Sequence, residues 1–255
     1  MFFADRIKRG LVAVACAAAV FGAAGWLPRT AEAGPQRTVC AAAGPVDGKA
    51  AMPDGEQKAS PVWESLLRKY RKVREVRQLI FVQHTTGSRA WIRLYSKRDG
   101  DGDWEELLAC SGFVGEKGID KQREGDKRTP TGDFGVITAC GTKENPGTVL
   151  NLPYLRLEKD RYGFSGEPSL YNRLIDTRQE KVRGRLHTAF PEPQFCYGVF
   201  LDFNKEREWN RGSGIFLHCI GEKPYTAGCV SVPLPDMRFI LQHISKNVRV
   251  CIFDR

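Results

Sequence analysis

The sequence predicts a mainly β fold: one β-rich domain with a few short helices, preceded by a helix and a flexible N-terminal arm. Three observations carry this. From Gln78 onward the apolar residues fall in runs of strand length, separated by glycine, proline and aspartate. Helical spacing is seen after Ser60 and again over residues 236–244. No repeat and no alternation of strand and helix is present, which argues against a parallel doubly wound sheet.

Taken in order, residues 1–33 read as a secretory signal peptide. Arg6, Lys8 and Arg9 precede an apolar run from Leu11 to Leu27, and Ala31-Glu32-Ala33 is the small-x-small pattern of a cleavage site. Export to the periplasm or cell envelope follows, with no stable membrane insertion after cleavage. An uncleaved anchor is the alternative reading of the same run. Residues 34–60, rich in Ala, Gly, Pro and Lys, read as a linker or disordered arm. Ser60 then caps an amphipathic helix, with Pro61 at its first position, over residues 61–77. Trp63, Leu66, Leu67, Tyr70, Val73 and Val76 form its apolar face, and Arg68, Lys69, Arg71, Lys72 and Arg74 its polar one.

The remaining span, 78–255, is long enough for a substantial core. Its first two strands, 79–83 and 90–95, are joined through Thr85-Thr86-Gly87-Ser88 as a hairpin. Further strands are expected at 104–114, 134–139, 149–157, 197–203, 214–219, 229–232 and 248–253, with a helix at 236–244 before the last.

The chain carries a formal charge of +9. Loss of residues 1–33 removes Arg6, Lys8, Arg9 and Arg29 against Asp5 and Glu32, leaving +7. That sign suits anionic cell-wall polymers, and equally a surface kept basic for solubility. No nucleic-acid motif accompanies the charge, so no nucleic-acid partner is expected. Without Cys16, seven cysteines remain: Cys40, Cys110, Cys140, Cys196, Cys219, Cys229 and Cys251. In an oxidising compartment an odd number leaves one thiol over, and at least one disulfide is expected, with its pairing open. A bridge from Cys219 to Cys196, or to Cys229 as a redox switch, is among the possibilities. Zinc is not expected. The chain has no Cys-x-x-Cys or His-x-x-x-His pair, and His218 and Cys219, adjacent on a strand, point to opposite faces.

The chemistry concentrates near the C-terminus. His218 ends the apolar run Ile215-Phe216-Leu217, and eleven residues later Cys229 follows Gly228 in Thr226-Ala227-Gly228-Cys229-Val230. At neutral pH only roughly a few per cent of an ordinary cysteine is thiolate, so a nucleophilic cysteine needs a base within reach. An imidazole can take that proton and form an ion pair. Gly228 lets the amides of Gly228 and Cys229 turn toward a carbonyl oxygen as an oxyanion hole. The reaction type is acyl transfer through a thioester.

Three blocks in order over residues 112–233 resemble the L,D-transpeptidase catalytic domain family of bacterial cell-wall enzymes, the YkuD type. They are the His218 strand, the Thr226-Ala227-Gly228-Cys229 segment, and Lys121-Gln122-Arg123-Glu124-Gly125-Asp126-Lys127-Arg128-Thr129-Pro130-Thr131-Gly132-Asp133-Phe134. Leu170-Tyr171-Asn172-Arg173 is similar to the subgroup with Thr-Ala-Gly-Cys at its active site. The resemblance implies Cys229 as nucleophile, His218 as base, and neither metal nor organic cofactor. The partner it implies is the peptidoglycan tetrapeptide stem, attacked at the carbonyl of its third residue with loss of the terminal D-alanine. The acyl group then passes to a second stem, forming a 3-3 cross-link, or to water, as in an L,D-carboxypeptidase. The alternative is a non-catalytic wall-binding protein that retains the fold, with Cys229 bridged.

One departure stands out. Many members carry an arginine two residues after the cysteine, whereas this chain has Ser231. Arg123, Lys127 and Arg128 are candidates to replace it. Thr226, Tyr197 and Arg128 are candidate substrate contacts, and Asn204 flanks the same cleft. His84, His187 and His243 are expected to be structural.

Overall fold

The structure of the protein, a computed structural model, describes residues 60–98, 102–148, 151–184, 186–187 and 190–255. The leader at 1–33 and nearly all of the arm at 34–60 lie outside the described residues.

Helix α1 (Pro61–Arg71) starts as its sequence dictates, with Ser60 Oγ accepting the Trp63 N–H at 3.3 Å and Pro61 in the first turn. It ends at Arg71 instead of continuing to 77. The chain must turn there to enter the sheet: Val73 N–H donates to Tyr70 O and Val76 N–H to Val73 O, and Lys97 Nζ also donates to the Val73 carbonyl at 2.5 Å. Val73 and Val76 still face the sheet, but from a turn.

Among the described residues thirteen strands follow. The first group is β1 (Gln78–Thr86), β2 (Arg89–Lys97), β3 (Trp104–Phe113), β4 (Gly132–Phe134), β5 (Val136–Gly141) and β6 (Tyr154–Arg156). After it come β7 (Tyr162–Ser165), β8 (Ile175–Asp176), β9 (Leu186–His187), β10 (Gly198–Leu201), β11 (Phe216–Cys219), β12 (Val230–Val232) and β13 (Arg249–Phe253). Helix α2 (Leu234–His243) precedes the last strand. Ten of the strands form one mixed sheet in the order β4-β13-β1-β2-β3-β12-β11-β10-β5-β6, and β8-β7-β9 form a small second sheet. Most neighbours are antiparallel; β1 with β13, β11 with β12, and β5 with β6 run parallel.

Burial explains the sequence pattern of the strands. In β1, Ile80 and Val82 enter the main core while Leu79 and Phe81 pack under α1, so the strand is apolar on both faces and shows no alternation. The main core joins residues of β1, β2 and β13 to residues of β5, β10, β11 and β12, with Met237, Ile240 and Leu241 of α2 among them. The large sheet therefore curls around one core. Under α1, Trp63, Phe81 and Tyr95 pack with ring centroids 5.4–5.9 Å apart. Asp133 fixes the helix to the sheet edge by accepting from Lys69, Tyr70 and Arg249.

A third cluster covers the opposite face of β10 and β11. Phe200 and Phe216 stack there at 4.8 Å, roofed by Phe164 of the small sheet and by Phe195. The single strand expected at 134–139 is split at Gly135, where Asp202 Oδ1 accepts the Gly135 N–H at 2.7 Å and a Cβ would lie 2.8 Å from Oδ2. Of the strand expected at 149–157, residues 149–150 lie outside the described residues, and the described part pairs over Tyr154–Arg156, after Pro153, which has no N–H to give the ladder.

The expectation of a disulfide is corrected among the described residues: Cys110, Cys140, Cys196, Cys219, Cys229 and Cys251 are all free. Cys110, Cys196 and Cys219 pack in or against the main core, Cys140 and Cys229 in or against the cluster around Phe200 and Phe216, and Cys251 under α1. There they pack as small apolar side chains.

Candidate active site

The parallel pairing of β11 with β12 builds the site. Leu217 lies opposite Val230 and His218 opposite Ser231. Side chains alternate along a strand, so Cys229, two residues before Ser231, shares the face of His218, displaced by about 6–7 Å along the strand direction. Both belong to the face that carries Phe216 and Phe200, and Cys229 packs against that cluster.

His218 is 4% exposed. Its Nδ1 lies 2.7 Å from the Cys219 carbonyl, which fixes Nδ1 as the protonated nitrogen and leaves Nε2 as the basic one. The Phe195 ring lies 5.0 Å from the imidazole. Burial pushes His218 down to about 4, against the opposing hydrogen bond to Cys219 O.

The Cys229 sulfur is held by the backbone of β11. Its thiol donates to Gly214 O at 3.5 Å, and the Phe216 N–H donates to Sγ at 3.4 Å. Burial pushes this thiol up to about 11, with the Phe216 N–H and the charge of Lys121 acting in the other direction. Among the described residues no hydrogen bond joins Sγ to the imidazole. The resting pair is a neutral thiol beside a neutral imidazole, where the sequence suggested an ion pair.

Two threonines brace the turn that carries the cysteine. Thr226 Oγ1 donates to Cys229 O at 2.6 Å and accepts the Gly228 N–H at 3.1 Å; Thr129 Oγ1 donates to the same carbonyl at 3.0 Å and accepts the Gly115 N–H. Gly228 has φ +149°, and a Cβ there would lie 2.9 Å from Arg128 O. A side chain at 228 would push the turn that carries Cys229 off the loop beneath it. The Gly228 amide, one of the two expected to face an oxyanion, is engaged with Thr226 in this state.

The other candidates are scattered. Arg128 touches the site through its backbone, and its guanidinium donates to Ile119 O. Tyr197 packs on the main core, on the face away from His218. Arg123 is exposed, and Lys127 pairs with Glu116 at 2.6 Å. Asn204 holds the chain at Glu208 and Gly212. Ser231 is buried beside His218 in register. His84 bonds Asp254 and Gly87 O, His243 bonds Phe239 O, and His187 lies exposed on β9. Among the described residues no group of three or more His, Cys, Asp or Glu could hold a metal.

The sequence reading missed Phe195, the Cys219 carbonyl and the ion pair of Lys121 with Asp126. A cavity of about 510 Å³ opens beside the nucleophile turn at Thr226 and Ala227. Glu116, Glu192, Glu222, Lys127 and Lys223 line its walls, whereas Cys229 and His218 do not.

Comparison with known proteins gives a match over residues 77–252 to the YkuD family, the L,D-transpeptidase catalytic domain. Among solved structures the chain is similar to the helical cell shape determining protein Pgp2 from Campylobacter jejuni. The identity is 13% and the TM-score 0.37, over 77% of this chain and 57% of that one. It is also similar to an L,D-transpeptidase of Enterococcus faecium solved as a cysteine-to-serine mutant, at 13% identity and a TM-score of 0.31, over 70% of this chain and 49% of that one. The chain thus spans about half the length of these structures. No curated protein matches it.

Proposed function

The chain belongs to the L,D-transpeptidase catalytic domain family, and from that premise we propose that it is an exported cysteine acyltransferase of peptidoglycan stem peptides. The observation that carries this reading is the parallel register of β11 and β12, which sets Cys229 and His218 on one buried face with Nε2 of His218 unprotonated.

The step balances as follows. The Cys229 thiol leaves Gly214 O and gives its proton to His218 Nε2. Sγ then bonds to the carbonyl carbon of the stem's third residue, whose π electrons move to oxygen. The Cys229 amide, and that of Gly228 once Thr226 releases it, then donate to that oxyanion. Collapse breaks the C–N bond, and the departing D-alanine amine takes the proton from the imidazolium, leaving a thioester. An amine of a second stem, or water, then attacks it with His218 again as base, which restores the thiol.

A neutral resting pair is compatible with this chemistry, because catalytic hydrogen bonds often tighten only when substrate is bound. The cavity beside Thr226 and Ala227, with carboxylates and ammonium groups on its walls, suits the amine and carboxylate of a diamino acid. The signal-like leader supports action in the cell envelope, and a contribution to cell shape fits that setting. The non-catalytic alternative required a bridged Cys229, and Cys229 is free.

The test is incubation with purified disaccharide-tetrapeptide followed by mass analysis. Loss of alanine is expected, with cross-linked dimers if an amine is the acceptor and tripeptide if water is. The same products from Cys229→Ser at the wild-type rate would overturn the proposal.

A further inference from the structure

The loop below the nucleophile holds a buried charge that the mechanism above leaves unused. The side chain of Lys121 is 2% exposed, and its Nζ lies 2.8 Å from Asp126 Oδ1, itself 10% exposed. Gly212 makes room for it, and Gly228 lies within contact range of its ammonium. A Cβ on Gly212 would lie 2.3 Å from Lys121 Cε, and a Cβ on Gly228 would lie 3.6 Å from Nζ. The ammonium therefore sits directly beneath the residue that precedes Cys229.

Asp126 is built to keep it there. Oδ2 accepts the amides of Gln122 at 2.7 Å and Arg123 at 3.1 Å, and Oδ1 also accepts that of Arg128 at 3.0 Å. Burial alone would raise this carboxyl, but the Lys121 hydrogen bond and the three amides outweigh it and hold it well below the usual carboxylate range. Breaking a buried ion pair is costly, so an arrangement with this many bonds keeps one geometry.

Other ionisable groups of the neighbouring segments are engaged elsewhere. His218 is the base on β11. Glu124 accepts from the hydroxyls of Tyr171 and Ser213, and the Arg128 guanidinium donates to Ile119 O. Lys121 thus brings a cation to the turn that carries Cys229 from a separate segment.

We propose that Lys121 is a positioning residue for the reaction: held by Asp126 under the Gly228–Cys229 turn, its ammonium stabilises negative charge on Sγ as His218 takes the proton. This rests on Cys229 being the nucleophile, but its test needs no stem peptide.

The experiment is alkylation of the full protein by iodoacetamide across pH, with the Cys229 peptide quantified by mass spectrometry. In Lys121→Met the midpoint for Cys229 is expected to rise by about one pH unit, the low end of what a nearby opposite charge produces, and Lys121→Arg should return most of it. Buried Cys140 is the fold control and should stay unreactive. If Lys121→Met exposes Cys140, Lys121→Gln, which can still bond Asp126, takes its place under the same criteria. An unchanged midpoint, an equal rise in the arginine variant, or a wild-type Cys229 that never reacts would each overturn the proposal. A shifted midpoint in a protein that leaves stems untouched would sink the assigned reaction and leave the role of Lys121 standing.

Discussion

Between about pH 4 and 11 both His218 and Cys229 are uncharged in the folded protein, because burial disfavours imidazolium and thiolate alike. The base is therefore ready over a wide range, and kcat/KM on tetrapeptide should show no acid limb near 6.5; activity should fall only as pH drops through about 4. A pH profile with an ascending limb between 6 and 7 would contradict this. The same burial has a stability consequence. The unfolded chain binds a proton on this histidine below about 6.5, and the folded one not until about 4, so stability is lost as pH falls through that window. Relative to His218→Gln, the wild type should lose about 3 kcal/mol between pH 7 and pH 4, measured by urea unfolding at each pH; parallel losses in the two proteins would refute it. His218 and Cys229 are legible in the sequence because each sits in a short word of fixed neighbours. The Cys219 carbonyl that orients the imidazole is not, since any residue at that position offers the same backbone oxygen. Lys121 reads as one more charge in a charged loop until folding shows it buried.

The elements around the site act as clamps whose strength depends on single hydroxyls. Thr129, fully buried, satisfies both the Gly115 N–H and the Cys229 carbonyl. Thr129→Val keeps the shape and strands the Gly115 donor, so a loss of about 1–3 kcal/mol is expected. Thr129→Ser should recover most of it; equal melting temperatures for wild type and Thr129→Val would exclude the clamp. At the other end, Trp63→Ala removes the centre of the aromatic cluster under α1 and should cost about 3–5 kcal/mol in chemical denaturation. The long strands β1 to β3 and the helix α2 are legible because their apolar runs have a period and a length. Strands β7, β8 and β9 hold two to four residues each, too few to carry a period; the pairing of β8 and β9 with β7 defines them, and Phe164 of β7 packs on Phe200 and Phe216.

At the scale of the whole molecule, one sheet curls around one core, and the parallel contact of β11 with β12 is a product of that closure. No local pattern encodes it: a mostly antiparallel reading of the strands is sound, yet the pair that matters runs parallel. Helix α1 also changes status at this scale. It precedes the family match that begins at residue 77, and the sequence separates it from the catalytic span, but Leu79, Phe81, Tyr95 and Phe253 need it as cover. A chain beginning at Gln78 should melt well below one beginning at Ser60 and bind more hydrophobic dye; matching curves would show α1 to be dispensable. The proposed reaction depends on the curled sheet delivering Cys229 as a single accessible nucleophile to an acyl donor. That is read most directly by intact-mass and peptide mass spectrometry after exposure to a β-lactam of the carbapenem type. The expected result is one adduct, on Cys229, absent in Cys229→Ala and strongly slowed in His218→Gln. An unmodified protein, or an adduct on any other cysteine, would contradict it.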